Sequence, residues 1–199
     1  MKVTKAQAQA NRAHIVETAS ALFREHGYDG VGVAELMASA GFTHGGFYKH
    51  FRSKADLMAE AAASTISQTV ASSEGLSLAE FIKIYVSRKH RDARGGGCTM
   101  AALCGDAARQ SDDIKATFAA GIESMVTTLE REVATPSDVD QREARAKVID
   151  SFAHAVGAVV LSRACPDDSP LADEILEVCR REILASLLPS ARGRQAPAT

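Results

Sequence analysis

From Gly41 to Lys54 the chain reads GFTHGGFYKHFRSK, which holds His44, Lys49, His50, Arg52 and Lys54 and no aspartate or glutamate. Cations gathered without carboxylates and interleaved with aromatic rings suit a polyanion, because phosphate oxygens take lysine and arginine donors and helix N-termini favour negative charge. Other residues with chemical potential lead less far. Cys98 and Cys104 stand six apart on an expected helix, no C-x-x-C pair occurs and no histidine lies beside them to complete a zinc set, so no metal is expected. They read as inert thiols, with a sensor of electrophiles or oxidants as the alternative if Arg109 or the helix start lowered a thiol pKa. Asp112–Asp113 and Asp167–Asp168 are adjacent pairs at expected helix starts, where they serve the helix dipole. With no acid–base pair, activated nucleophile or cofactor loop, neither an enzyme nor a cofactor is expected. The run Arg91 to Gly97 (RDARGGG) reads as a loop, since no Gly-Lys-Ser/Thr follows to make a phosphate cradle.

Two short helices must position the cationic strip. Val33, Leu36, Met37 and Ala40 recur at helical spacing, Gly41 follows, and a second helix is expected to open at Thr43. Two helices joined by a short glycine-containing turn form the helix-turn-helix signature. Ala40 and Gly41 let the backbones approach, Phe42 can plug the core, and the Thr43 hydroxyl can cap the second helix. Upstream, Ile15, Ala19, Leu22 and Phe23 mark a helix ending at Gly27, where a residue without Cβ can take a left-handed cap. Downstream, three apolar stripes recur: Ile114, Phe118, Ile122, Met125, Leu129, Val133; then Ile149, Phe152, Val156, Val160; then Ile175, Cys179, Ile183, Leu187. Each spacing predicts an amphipathic helix. Ser111 before Asp112 and Ser169 before Pro170 are start signals, and Pro189 is a stop. No period-2 run appears. The expected class is all-α, an N-terminal three-helix head with a helix-turn-helix followed by a C-terminal helical ligand-binding and dimerisation domain.

The chain has 199 residues, 23 Lys and Arg against 25 Asp and Glu, and a formal net charge of −2. That balance excludes phosphate binding by bulk charge, so any nucleic-acid contact must be local. The longest strongly apolar stretch without charges, Ser151 to Ser162, has 12 residues, short of the roughly 20 needed to cross a bilayer. No membrane partner is expected. The start, MKVTKAQAQANRAH, has no apolar run and does not read as a secretory signal, so a cytoplasmic location is expected. A composition shift near residue 70 sets the expected domains at 8–70 for the head, 71–190 for the C-terminal domain and 191–199 for a disordered tail.

The head resembles the tetracycline-repressor (TetR) family of bacterial transcription regulators. The resemblance rests on Arg12, Ile15, Ala19, Phe23 and Gly27, then Val33, Leu36, Ala40, Gly41, Phe42 and Thr43, then Gly46, Phe47, Tyr48, His50, Phe51, Lys54 and Leu57, and spans roughly residues 8–70. It implies an all-α homodimer that binds a palindromic operator in double-stranded DNA and lets go when a small-molecule inducer enters the C-terminal domain, with repression as the usual mode. Carried over, it makes Tyr48 and Lys54 phosphate anchors and places His50 close to the DNA backbone. Thr43 and His44 would sit at the groove-facing start of the recognition helix, with Gly46 allowing close approach and Lys49 adding a contact. Gly32 stands where the family often has a capping Ser or Thr, and Gly45 where many members place a base reader. Base specificity then leans on Thr43 and His44.

One head reads too few base pairs for genomic selectivity, and two recognition helices about 34 to 36 Å apart require a dimer. Phe152, Ala153, Val156, Gly157, Val160, Ile175, Leu176, Cys179, Ile183 and Leu187 are expected to form an isologous four-helix interface; the alternative is that they only fill the monomer's core. Phe81, Tyr85, Met100, Leu103, Cys104, Phe118, Ile122, Met125 and Phe152 could line an apolar ligand chamber or be plain core. His154 reads as a core or interface histidine, with a polar contact to ligand as the alternative. The functional expectation is a dimeric, inducer-released repressor. A helical protein-interaction module or the thiol sensor named above is the alternative.

Overall fold

The computed structural model describes residues 4–132 and 138–188, with side chains described from residue 141 onward in the second stretch. The expected tail 191–199, Val133 and Pro189 lie outside the described residues. Among the described residues there is no strand, in keeping with the absence of alternating runs. No helix among them is long and apolar enough to cross a membrane.

Helix α1 (Lys5–His26) is capped by the Thr4 hydroxyl, which accepts the Gln7 N–H at 3.2 Å, and buries Ile15, Ala19 and Phe23. It ends at Gly27, at φ +77°, whose N–H donates to the Phe23 carbonyl. A Cβ there would stand 2.7 Å from Asp106 Oδ2, so positive φ and close approach both select glycine. Helix α2 (Val33–Ser39), a short 3-10 helix (His44–Lys49) and helix α3 (Lys54–Ser73) complete the head. Val31, Leu36, Met37, Phe47, Phe51 and Leu57, all at most 2% exposed, close its core against α1.

Helix α3 packs against α1 on one side and against α7 (Asp112–Arg131) on the other. On α7 the missing side chain of Gly121 is the notch for Ile66: a Cβ would stand 2.6 Å from Ile66 Cγ2. The boundary expected after residue 70 thus falls within the last turn of a helix that serves both halves.

Between them run α4 (Leu78–Tyr85), started by a Ser77–Glu80 capping box, α5 (Arg88–Asp92) and α6 (Thr99–Ala107). Helices α8 (Asp138–Arg163) and α9 (Pro170–Leu187) pack against each other, α9 beginning with proline in its first turn behind Ser169 as its sequence predicts. The loop expected from Arg91 starts later, because Arg91 and Asp92 belong to α5 and Arg91 is buried. Its guanidinium gives Nε to Ser162 Oγ at 3.1 Å, Nη2 to the Ser162 and Cys165 carbonyls at 3.1 Å each, and Nη1 to Asp92 and Asp167 at 2.8 and 2.7 Å. Arg163 answers from α8, donating to the Arg91 and His90 carbonyls at 2.9 and 3.0 Å. A charge buried so thoroughly is tolerated only when its donors are met. The cluster ties α5 to the α8–α9 turn.

Candidate nucleic-acid interface and C-terminal pockets

Two phenylalanines fix the recognition segment from within. Phe47 is fully buried, and its ring lies 5.4 Å from that of Phe51. Every third or fourth side chain of the segment thereby faces inward, leaving Thr43, His44, Gly45, Tyr48 and Lys49 exposed. Tyr48 is 68% exposed and meets the His44 ring edge-on at 6.4 Å. Lys49 makes no ion pair among the described residues.

Two local expectations need correction. The segment is a 3-10 helix rather than an α-helix, and the Thr43 hydroxyl makes no capping bond; the Gly46 N–H donates to the Thr43 carbonyl at 2.9 Å instead. Glycine costs roughly 1 kcal/mol relative to alanine in an α-helix, and Gly45 and Gly46 come in succession, so the tighter turn prevails. Gly32 caps α2 by backbone alone, its carbonyl accepting the Leu36 N–H at 3.0 Å.

The end of the segment is held by a residue whose spacing carries no such signal. Arg12, on α1, donates Nη1 to the His50 carbonyl, pairs through its Nε–Nη2 edge with both carboxylate oxygens of Glu60 on α3, and lies 4.2 Å above the Phe51 ring. His50 is half-buried, its ring 6.4 Å from Phe42. The Lys54 ammonium donates to the Tyr28 carbonyl, so the anchor expected for phosphate also ties α3 to the loop after α1. The same ammonium lies 5.9 Å from the centre of the Phe23 ring. Asp56, whose carboxylate is held below its ordinary range first by the Arg52 N–H that it accepts, marks the inner limit of the carboxylate-free strip.

The nine residues expected around one chamber are distributed differently. Met100, Cys104, Ile122 and Phe152 line a pocket of roughly 540 Å³ between α6, α7 and α8, together with Val126, Ile149, Ala153, Val156 and Gly157. Arg145 closes its rim, paired with Glu123 at 2.7 Å and Glu130 at 3.1 Å. Burial, and then Cys98, push the Cys104 thiol up to about 11, so at neutral pH it is not a thiolate. Phe81 and Tyr85 line a second pocket of roughly 310 Å³, with α3, His90 and the glycine loop. Leu103, Phe118 and Met125 are buried in the packing between helices.

Of the residues expected at a dimer contact, Phe152, Leu176 and Ile183 are buried within the chain. Val156, Gly157, Ile175, Cys179 and Leu187 are half-buried, and Ala153 and Val160 are exposed, as is His154, which is therefore not a core histidine. Leu161, Leu171 and Val178 are also exposed, 59%, 52% and 37%, and extend that apolar face. The seven-residue interval between Leu171 and Val178 was the available signal.

Residues 15–61 match the family model described as bacterial regulatory proteins, tetR family. The HTH-type transcriptional regulator AcrR of Shigella flexneri is 40% identical over 57 residues, which make up 29% of this chain and 26% of that protein. The match thus spans about a quarter of that relative's length. A TetR-family regulator from Cytophaga hutchinsonii superposes with a TM-score of 0.71 at 17% identity, over 94% of this chain and 98% of that one. The reduced form of E. coli NemR gives 0.69 at 18%, over 87% and 95%. A TetR-family regulator from Agrobacterium tumefaciens gives 0.70 at 20%, over 92% and 100%. At these identities the likeness is one of fold.

Proposed function

We propose that this chain, whose residues 15–61 match the model of the tetR family of bacterial regulatory proteins, is a DNA-binding regulator of transcription that acts as a homodimeric repressor on a palindromic operator and is released by a small-molecule inducer. What supports this above all is the surface from Thr43 to Lys49, which turns two hydroxyls, an imidazole and an ammonium outward with no carboxylate among them. Thr43, His44 and Gly46 meet the major groove, while Tyr48, Lys49, His50 and Lys54 hold phosphates and fix the register. Ala153, Val160 and Leu161 on α8, with Leu171 and Val178 on α9, offer the same apolar face to a second copy. An inducer among the C-terminal helices tilts α3 and takes the two heads out of groove spacing.

The test is selection of binding sites from a random duplex pool by the intact protein and by a Tyr48→Ala, Lys49→Ala variant. An inverted repeat enriched by the intact protein alone is expected, and Lys49→Ala by itself should lower the salt slope of binding by about one ion. Enrichment of an unrepeated half-site would overturn the dimer. No enrichment at low salt would favour a protein-interaction module instead.

A further inference from the structure

Asp106 stands in the last turn of α6, the end at which the helix dipole disfavours a carboxylate. Its Oδ1 accepts Arg109 Nη2 at 2.7 Å, and its Oδ2 reaches across to the head, where it accepts the Tyr28 N–H at 3.0 Å. The loop after α1 is shaped to receive it. Gly27, at φ +77°, carries no Cβ, and one there would stand 2.7 Å from the same Oδ2.

Tyr28 is held at its other end as well. Its carbonyl accepts the Lys54 ammonium at the start of α3, and its ring, 1% exposed, meets the Phe23 ring edge-on at 5.1 Å. The N–H and the carbonyl of one residue are three covalent bonds apart, so what displaces one displaces the other. Lys54 is half-buried, and its flexible four-carbon stem would let the ammonium take many positions. The Tyr28 carbonyl selects one of them. A single loop residue therefore lies between a carboxylate of the C-terminal half and the cation assigned above to a DNA phosphate.

We propose that Asp106 is a positioning residue for operator binding: by fixing Tyr28 it fixes the carbonyl that aims Lys54 at phosphate. This rests on the operator-binding reading. The acid belongs to the helix whose Met100 and Cys104 wall the pocket of roughly 540 Å³, so the C-terminal half sets how firmly the head grips its partner. Bare electrostatics predicts the opposite sign. Removing a carboxylate from a DNA-binding chain should tighten its hold on a polyanion, whereas removing a positioning residue loosens it.

The experiment uses the full chain and the selected operator duplex. Fluorescence anisotropy over a series of salt concentrations reads affinity, and amide exchange followed by nuclear magnetic resonance reads the Tyr28 N–H directly. Asp106→Ala should weaken operator binding about fivefold and lower the salt slope by about one ion. Asp106→Asn, which keeps an acceptor but no charge, should recover most of that loss. In a Lys54→Met background Asp106→Ala should cost no further affinity, and Tyr28 exchange should quicken about tenfold in Asp106→Ala while staying slow in Asp106→Asn. Unchanged or tighter binding by Asp106→Ala overturns the proposal. So does an Asp106→Asn loss as large as that of Asp106→Ala, a fivefold loss that persists in Lys54→Met, or Tyr28 exchange that ignores Asp106. Arg24 also ties α1 to the glycine loop, giving Nε to the Gly95 carbonyl at 2.7 Å, so Asp106→Ala keeps a second tether; if it fails to fold, Asp106→Ser replaces it with the same expectations. Operator binding by the parent is measured first. Its absence sinks the DNA reading, and the Lys54 ammonium resonance then judges the positioning: a signal identical in parent and variant overturns it.

Discussion

The head and the helices behind it are made of the same alanine-rich stock, yet they dispose of their polar residues in opposite ways. In the head, Arg12 and Lys54 turn inward to backbone carbonyls and close the core, leaving a polar outer surface on a sealed body. Behind α3 the polar residues gather in the Arg91 cluster and at pocket rims, and apolar side chains are left facing two pockets and an outer face. A sealed head suits a partner of constant shape such as the proposed DNA groove. Loosely filled helices suit the proposed entering ligand and the proposed second copy.

The contrast can be broken most forcefully at Phe47, fully buried in the head. Phe47→Ala should cost about 3–5 kcal/mol, read as a fall in the urea midpoint, and abolish operator binding; a shift under about 1 kcal/mol would show that the head is not sealed. Next is Arg91→Met, expected to cost about 3 kcal/mol through the carbonyls of Ser162 and Cys165 left unmet. At temperatures where the variant stays folded, its operator affinity should match the parent's, since the loss lies behind α3.

Acid should act on the same side of the molecule. Burial holds His90 below its ordinary value of 6.5, so the unfolded chain takes up the proton first. The stabilisation is complete above about pH 6.5 and is lost as pH falls from there through the lowered folded value, because an added proton on Nε2 would oppose the Cys98 N–H. Melting temperature against pH checks this, and His90→Gln should flatten the acid limb. The mildest change is Ser77→Ala, which removes the α4 cap for about 1 kcal/mol; melting should register it, and operator affinity should not move.

Much of the head was legible because its signals are local. Helical spacing at Ile15, Ala19 and Phe23, the glycine after Ala40 and the carboxylate-free strip each act within one or two turns. What escaped depends on distant partners. Nothing near Arg12 announces Glu60, 48 residues away, and nothing near Lys54 announces the Tyr28 carbonyl. Periodicity says that Tyr85 and Met100 face inward but not which neighbour each faces, so one expected chamber resolves into two pockets. The run RDARGGG looks polar and open, yet Arg91 is buried because its carbonyl partners sit more than 70 residues downstream.

The notch at Gly121 gives α3 a fulcrum. From Ile66, seated over that notch, to Lys54 at the head end is about 18 Å of helix. In the proposed dimer, a tilt of about 5° there would displace the head end by about 1.6 Å, and the two arms together would add to about 3 Å, close to the roughly 3.4 Å step between bases. A rotation of that size would carry one recognition segment of the proposed dimer nearly a full base out of step with the other.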